Sequence, residues 1–471
     1  MKRLRKSLRL CAFILALMML LPMGYGLYSQ LVYGTRWRTS EYNTYLSSMK
    51  SSVTAGSIYD RAGVLLAATE VSTDAEGAVT RTRVYAADET VRRAVAHAVG
   101  DTRGTVKNAA ESFFAEYLYG AKNGYLERLI QLAGGSLRGD DITLSLDSRL
   151  CAYIASIFPQ DKNGAVVVMN YKTGELFALQ SFPSFDPATG RATVNQALNR
   201  ATRWVSAPGS TFKIVTLTAA LQNIAGAEAA TYTCTGGVII SENERTVSDY
   251  AGEAHGTLTL KQAFAKSCNS TFAILALTMK DKALRRTAES FGVGDDFTFR
   301  DLVVENSAYA STAETLLGAD LAWTGAGQNQ LALTPLHMCM IAAAVANDGV
   351  MMEPRLLLRA VSPTGVERVR FEPVAYRTVM SGELAETVRG YMREVVVSGT
   401  GRSAAVSGLT VCAKTGTAEI DTQENDNAWF VGFIDDDSLP YAVCVVVQEG
   451  GTGGSVAAPL AQKIFRYLSR K

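Results

Sequence analysis

The chain has 471 residues, 48% of them apolar and 19% charged, with 46 basic and 45 acidic side chains. Those proportions exclude a disordered chain, and the near balance of charge excludes a polycation built to coat nucleic acid. The length exceeds what one small core holds, so two or three domains are expected.

The N-terminus carries five positive charges (Lys2, Arg3, Arg5, Lys6, Arg9) and no acid, followed by an uncharged run from Leu10 to Leu27. At 1.5 Å per residue this run spans about 27 Å, near the thickness of a bilayer core. It is longer than the apolar region of a signal peptide, and Gly24-Tyr25-Gly26 makes a poor A-x-A cleavage site. An uncleaved transmembrane anchor over residues 10–27 is therefore expected, with a cytoplasmic tail at 1–9 and the remainder extracytoplasmic by the positive-inside rule. Without the five N-terminal charges, 41 basic residues stand against 45 acidic ones, and no nucleic-acid partner is expected.

Tyr28 to Lys50 is polar and aromatic and reads as a continued helix or a stalk. Ala55 to Ala67 places two short β-like pieces around the turn Asp60-Arg61-Ala62-Gly63. To about residue 140 the period stays irregular, with helices expected at Glu89–Val99 and Val106–Tyr119, so residues 28–140 read as a small pedestal domain. Beyond it, the β-branched run from Ala165, the turn Y-K-T-G and the run ending at Ser181 make a hairpin. Helical patterns follow over Lys213–Leu221, Leu260–Met279, Pro335–Ala346 and Ser381–Val397. Strands are expected over Leu409–Lys414, Trp429–Ile434 and Tyr441–Val447, with a closing helix over Val456–Leu468. Strands at both ends of a helical middle predict one mixed α/β domain over 141–471.

Seven cysteines (Cys11, Cys151, Cys234, Cys268, Cys339, Cys412, Cys444) lie at least 32 positions apart, which rules out CxxC spacing. Buried free thiols are expected. The three histidines (His97, His255, His337) adjoin no nucleophile and read as structural, and neither H-E-x-x-H nor a Cys/His cluster appears, so no metal and no cofactor are expected. Gly325-Ala326-Gly327 and Gly450 to Gly454 complete no phosphate-loop pattern and read as turns.

The chemistry concentrates in three places. In W-V-S-A-P-G-S-T-F-K, a Pro-Gly pair leads into a helix that opens with Ser210 and sets Lys213 three residues later on the same face. A desolvated lysine can take the serine proton, which makes the pair a nucleophile and its base. Alone, the same pattern reads as a capping serine and a snorkelling lysine. Ser267-Cys268-Asn269 interrupts an apolar helix, and Lys414-Thr415-Gly416-Thr417 ends a strand-like segment, 57 and then 147 positions further on. The set S-x-x-K, S-x-N and K-T-G in this order is the known signature of penicillin-binding proteins and serine β-lactamases.

With these motifs, and with the segments G-S-I-Y-D-R-A-G-V-L-L-A, F-P-S-F-D-P, G-A-G-Q-N-Q-L-A-L-T-P-L-H-M and A-W-F-V-G-F, the chain resembles a class B penicillin-binding protein, a membrane-anchored peptidoglycan D,D-transpeptidase. Ala55 stands where the family usually has arginine before Gly56. The resemblance implies a penicillin-binding transpeptidase, serine β-lactamase-like domain: an antiparallel sheet flanked by helices, on a pedestal and one membrane helix. It implies that Ser210 attacks the penultimate D-Ala of a stem peptide with Lys213 as base, and that Ser267 and Lys414 relay the proton to the leaving amine. Asn269 would hold the substrate backbone, Thr415, Gly416 and Thr417 would bind its terminal carboxylate, and the backbone N–H groups of Ser210 and Thr417 would form the oxyanion hole. Stem peptides, β-lactams and a membrane glycan polymerase are the implied partners. A β-lactamase or β-lactam sensor, a D,D-carboxypeptidase and an inactive wall-complex scaffold are the competing readings. The roughly 110 residues between the anchor and Asp141 are too few for a glycan-polymerising domain beside the pedestal.

Overall fold

The computed structural model describes residues 2–38, 43–134, 136–240, 247–310, 314–419 and 426–470. Its first helix, Lys2–Arg38, contains a stretch, Arg5–Gln30, that is long and apolar enough to cross a membrane, and none of that stretch's apolar window is buried. The polar segment after the anchor continues this helix, and a second helix spans Thr44–Ser52. Residues 39–42, inside the expected pedestal, lie outside the described residues.

Five strands form the sheet that carries the chemistry, in the order Val411–Ala418, Asn427–Ile434, Tyr441–Val447, Gly164–Asn170, Leu176–Phe182, all antiparallel. The expected hairpin thus joins the C-terminal strands, and both ends of the segment complete one sheet. Val443, Val445 and Val447 stand opposite Val168, Val166 and Gly164, and both strands are buried along nearly their whole length. A strand buried on both faces has no polar alternation, which is why its sequence is a continuous apolar run. Helix Pro335–Ala346, every residue of which is buried, packs on Gly164–Asn170 and Tyr441–Val447, and the closing helix Ala458–Leu468 packs on Asn427–Ile434 and Tyr441–Val447.

The N-terminal region holds a second sheet, ordered Glu367–Arg370, Leu357–Val361, Asp141–Leu144, Ile58–Tyr59, Leu65–Thr73, Val79–Tyr85. The expected division after residue 140 runs through it: Asp141–Leu144 pairs with Ile58–Tyr59 on one side and Leu357–Val361 on the other. The turn between the first two strands forms as read, with Asp60 Oδ1 accepting from Ala62 N and Val64 N at 2.8 Å. Helix Glu89–Val99 also forms as read, capped by the Asp88 carboxylate. Val106–Tyr119, expected as one helix, is two short pieces, Ala110–Phe113 and Ala115–Leu118, because the backbone opens at Phe114 (φ −100, ψ 21). Gln180 ties this region to the catalytic sheet, its amide donating to Ala94 O at 3.1 Å and Cys151 O at 2.9 Å.

Strand Leu357–Val361 is held from below by Asp301, whose carboxylate accepts from Arg355 Nε and from Leu356 N and Leu357 N, each at 2.9 Å. Both side chains of the pair are nearly fully buried. Asp301→Ala leaves Arg355 buried with an uncompensated charge and is expected to cost about 3–5 kcal/mol, read as a lowered denaturant midpoint of the detergent-solubilised protein.

Candidate active site

Pro208 (φ −76, ψ −5) leads into a 3-10 turn over Gly209–Phe212, which runs directly into the α-helix Lys213–Asn223. Three residues per turn eclipse positions i and i+3, so Lys213 stands over Ser210 more closely than an α-helical start would place it. Gly209 is at φ +55, and a Cβ there would stand 2.7 Å from the Thr417 carbonyl oxygen. Only glycine lets this turn lie against the strand of the third motif.

The second motif is a break between helices. Leu260–Lys266, capped by Thr259, ends at Ser267 in the left-handed region (φ 63, ψ 33), and Asn269–Ser290 starts behind Cys268, whose Sγ accepts from Thr271 N. The single helix expected over Leu260–Met279 is therefore two. The left-handed turn, uncommon for a residue other than glycine, aims both the carbonyl and the hydroxyl of Ser267 at Lys213. Lys213 Nζ donates to Ser267 O at 2.6 Å and to Asn269 Oδ1 at 2.6 Å, and lies 3.4 Å from Ser267 Oγ.

The third motif lies within the edge strand Val411–Ala418, which continues four residues beyond the expected end at Lys414. Lys414 Nζ donates to Ser267 Oγ at 2.8 Å and to Thr415 O at 2.9 Å. The Ser267 hydroxyl thus stands between two amines. Both lysines are fully buried. Burial pushes Lys213 down to about 8, a shift opposed by the nearby Cys268 and Asp249. Lys414 is driven well below its ordinary value by burial first and by the Lys213 charge second. Two amines on one hydroxyl in a dry site cannot both stay charged without large repulsion.

Ser210, Ser267, Asn269, Thr415 and Thr417 line one cleft of about 320 Å³. Ser210 makes no side-chain hydrogen bond among the described residues, while Lys213 is held by Ser267 and Asn269. Gly416 packs where a Cβ would meet Pro208 O at 2.8 Å, so it too serves the contact between the first and third motifs. Thr415 Oγ1 is 2.5 Å from Thr400 Oγ1, and Thr417 Oγ1 accepts from Gly453 N at 3.4 Å. Thr400, Gln328, Tyr250 and Glu419 also line the cleft and were not singled out by sequence. Gln328 donates to Thr417 O at 3.3 Å. It belongs to the G-A-G-Q-N-Q segment, the one signal that pointed to it.

His97 and His337 are structural: each is buried, bonded to a backbone carbonyl (Gln196 O, Phe291 O) and pushed down to about 4 by burial. His255 is different. Cys234, Asp249, His255 and Cys268 bring one ligand atom each within 4.8 Å of one another, the kind of group that holds a metal ion. The expectation that no Cys/His cluster exists is corrected, because a strand end, two loop positions and a helix cap assemble this one and no short spacing announces it. The six cysteines beyond the anchor are buried and free, as expected, and Cys268 Sγ faces this cluster.

The family profile of the penicillin binding protein transpeptidase domain matches residues 164–466. The peptidoglycan D,D-transpeptidase PbpA of Mycolicibacterium smegmatis is 32% identical over 336 residues, 65% of this chain and 67% of the relative. Stage V sporulation protein D of Bacillus subtilis is 31% identical over 350 residues, covering 70% of this chain and 53% of that protein. Among solved structures, the ceftriaxone acyl-enzyme complex of penicillin-binding protein A from M. tuberculosis matches with a TM-score of 0.78 and 27% identity, over 88% of this chain and 98% of that one.

Proposed function

The chain belongs to the penicillin-binding protein transpeptidase family and is a serine-type peptidoglycan D,D-transpeptidase, and from that membership we propose that Ser210 is its nucleophile and that Lys213, Ser267 and Lys414 carry its protons. The observation that supports this most is the convergence of three motifs, 54 and 147 positions apart in their contacts, on the single hydroxyl of Ser267.

Lys213, neutral, takes the Ser210 proton as Oγ attacks the carbonyl carbon of the penultimate D-Ala. The new C–O bond forms and the C–N bond breaks. The proton then reaches the departing amine through Ser267 and Lys414, and free D-Ala leaves. The backbone N–H groups of Ser210 and Thr417 hold the developing oxyanion, a stabilisation that commonly contributes several kcal/mol in acyl transfer. Asn269 holds the donor backbone, and Thr415, Gly416 and Thr417 hold its carboxylate. An amine of a second stem peptide attacks the ester, gives up its proton along the same path, and restores the Ser210 hydroxyl. β-Lactams enter the first half of this sequence and stop at the acyl-enzyme.

The division into tail, anchor, pedestal (28–140) and catalytic domain (141–471) belongs to the same reading, with Asp141–Leu144 and Leu357–Val361 of the second segment completing the pedestal's sheet, as does the orientation with the catalytic domain outside the cytoplasmic membrane. So does a membrane glycan polymerase as the source of strands.

Because Lys213 must be neutral to act as base and its value is lowered to about 8, the acylation rate constant is expected to rise with pH through that region, falling about tenfold per unit below it. Stopped-flow acylation by a chromogenic cephalosporin from about pH 6 to about pH 9.5 checks this, and a profile flat across that range contradicts the assignment of the base.

A further inference from the structure

We propose that the helix Tyr125–Ala133 lies in the surface of the membrane and gives the pedestal a second point of attachment beside its anchor. The inference rests on the reading of residues 10–27 as a membrane anchor.

This helix is turned inside out. Its polar residues face the protein: the Glu127 carboxylate accepts from Thr364 Oγ1 at 2.7 Å and pairs with Arg368, and Gln131 Oε1 accepts from Arg138 N at 3.0 Å. The Glu127 side chain is 14% exposed and Gln131 is 8% exposed. The apolar residues face out. Tyr125, Leu126, Leu129, Ile130 and Leu132 range from 44% to 81% exposed. At 3.6 residues per turn they share one arc of about 160°, and Glu127, Arg128 and Gln131 fall on the other side. Soluble monomers rarely leave so continuous an apolar face bare, and such a face marks an interaction site.

The anchor identifies the occupant. Its helix runs on to Arg38, past the apolar stretch that ends at Gln30, and packs on Ala115–Leu118. Ser29 and Gly34 on that helix are buried. The pedestal therefore rests where the chain leaves the membrane. The turn after Ala115–Leu118 is tied back to it, with Gly120 N donating to Tyr117 O and Ala121 N to Glu116 O, each at 2.9 Å. The apolar helix opens at Tyr125, directly after this turn.

A lipid surface suits the stripe better than a protein does. Apart from the Tyr125 hydroxyl its side chains offer no hydrogen-bonding group, so they give a protein partner nothing directional to recognise. Aliphatic side chains with a tyrosine at one end suit the interfacial layer of a bilayer. The anchor holds the helix at that layer, so even weak insertion is populated. Thr364 and Arg368 lie on the hairpin formed by Leu357–Val361 and Glu367–Arg370, which returns from the catalytic segment. A helix fixed in the membrane thus sets the tilt of the domain that carries the cleft.

The test uses the full chain reconstituted into vesicles of phosphatidylethanolamine and phosphatidylglycerol. Leu129→Cys, made with Cys11→Ser so that one exposed thiol takes the label, carries an environment-sensitive fluorophore. Its emission is expected to shift to the blue and to be quenched about twofold or more by lipids bearing a nitroxide on the acyl chain. The same label on Val397→Cys, a position 63% exposed in the catalytic segment, is expected to stay unquenched. Adding Leu126→Glu and Ile130→Glu is expected to abolish the quenching at Leu129→Cys while penicillin acylation holds. Leu126→Cys repeats the measurement if Leu129→Cys does not fold, folding being judged by that acylation.

Equally weak quenching at the helix and at Val397→Cys overturns the proposal. A helix label shielded from water yet out of reach of the nitroxides places a second copy or another protein there, and overturns it too. Flotation of the vesicles after an alkaline wash reads the anchor separately. A chain that floats while the helix label stays in water loses the second attachment and keeps the anchor, whereas a chain that does not float loses both.

Discussion

Ser210→Ala is expected to fold like the wild type and to lose peptidoglycan crosslinking and penicillin acylation by about 10⁴-fold or more, since no other group can replace the attacking oxygen. Its side chain makes no hydrogen bond among the described residues, so removing the hydroxyl leaves no partner unsatisfied and the melting temperature should hold. Crosslinking is read from muropeptides formed on lipid-linked glycan, and acylation from gel fluorescence with a labelled penicillin. A variant that still crosslinks would move the nucleophile elsewhere or favour a scaffold role.

Lys213→Met is expected to lower the acylation rate constant by about 10²–10⁴-fold, the usual contribution of a positioned general base. The side chain is fully buried beside Phe272, 5.4 Å from the ring centre, and methionine fills a similar volume. Ser267 O and Asn269 Oδ1 lose their donor, so a modest loss of stability accompanies the change. The distinguishing readout is the pH profile: the rise through about 8 should disappear from the residual activity. If the rise persists, Lys414 is the base, since it sits on the same hydroxyl and its value is also driven down.

Much of this site was legible in the sequence because its parts are local signatures in a fixed order. Each motif names a backbone feature as well as a side chain, and the structure supplies those features as a 3-10 turn, a helix break and an edge strand. The sheet was legible for another reason. Strands such as Gly164–Asn170 and Tyr441–Val447 are buried on both faces, so their sequences are continuous β-branched runs bounded by turns. The hairpin Leu65–Thr73 with Val79–Tyr85 escaped because it is largely exposed and polar, with no apolar alternation to read. The left-handed backbone at Ser267 left no trace in a pattern of apolar spacing, so two helices read as one. The strands Leu357–Val361 and Glu367–Arg370 join the N-terminal sheet from more than 200 positions away, a pairing that single-sequence periodicity does not carry. The Cys234, Asp249, His255, Cys268 cluster failed to show for the same reason: spacing rules look along the chain, and these side chains meet only across it.

The central claim, that Ser210 forms the acyl-enzyme, is tested most directly by mapping the adduct. After reaction with penicillin G and proteolysis, mass spectrometry is expected to place a single penicilloyl group on the peptide bearing Ser210, with fragment ions locating it at that residue. An adduct on Ser267 or any other residue, or an unmodified Ser210 peptide from protein that binds penicillin, would contradict the account.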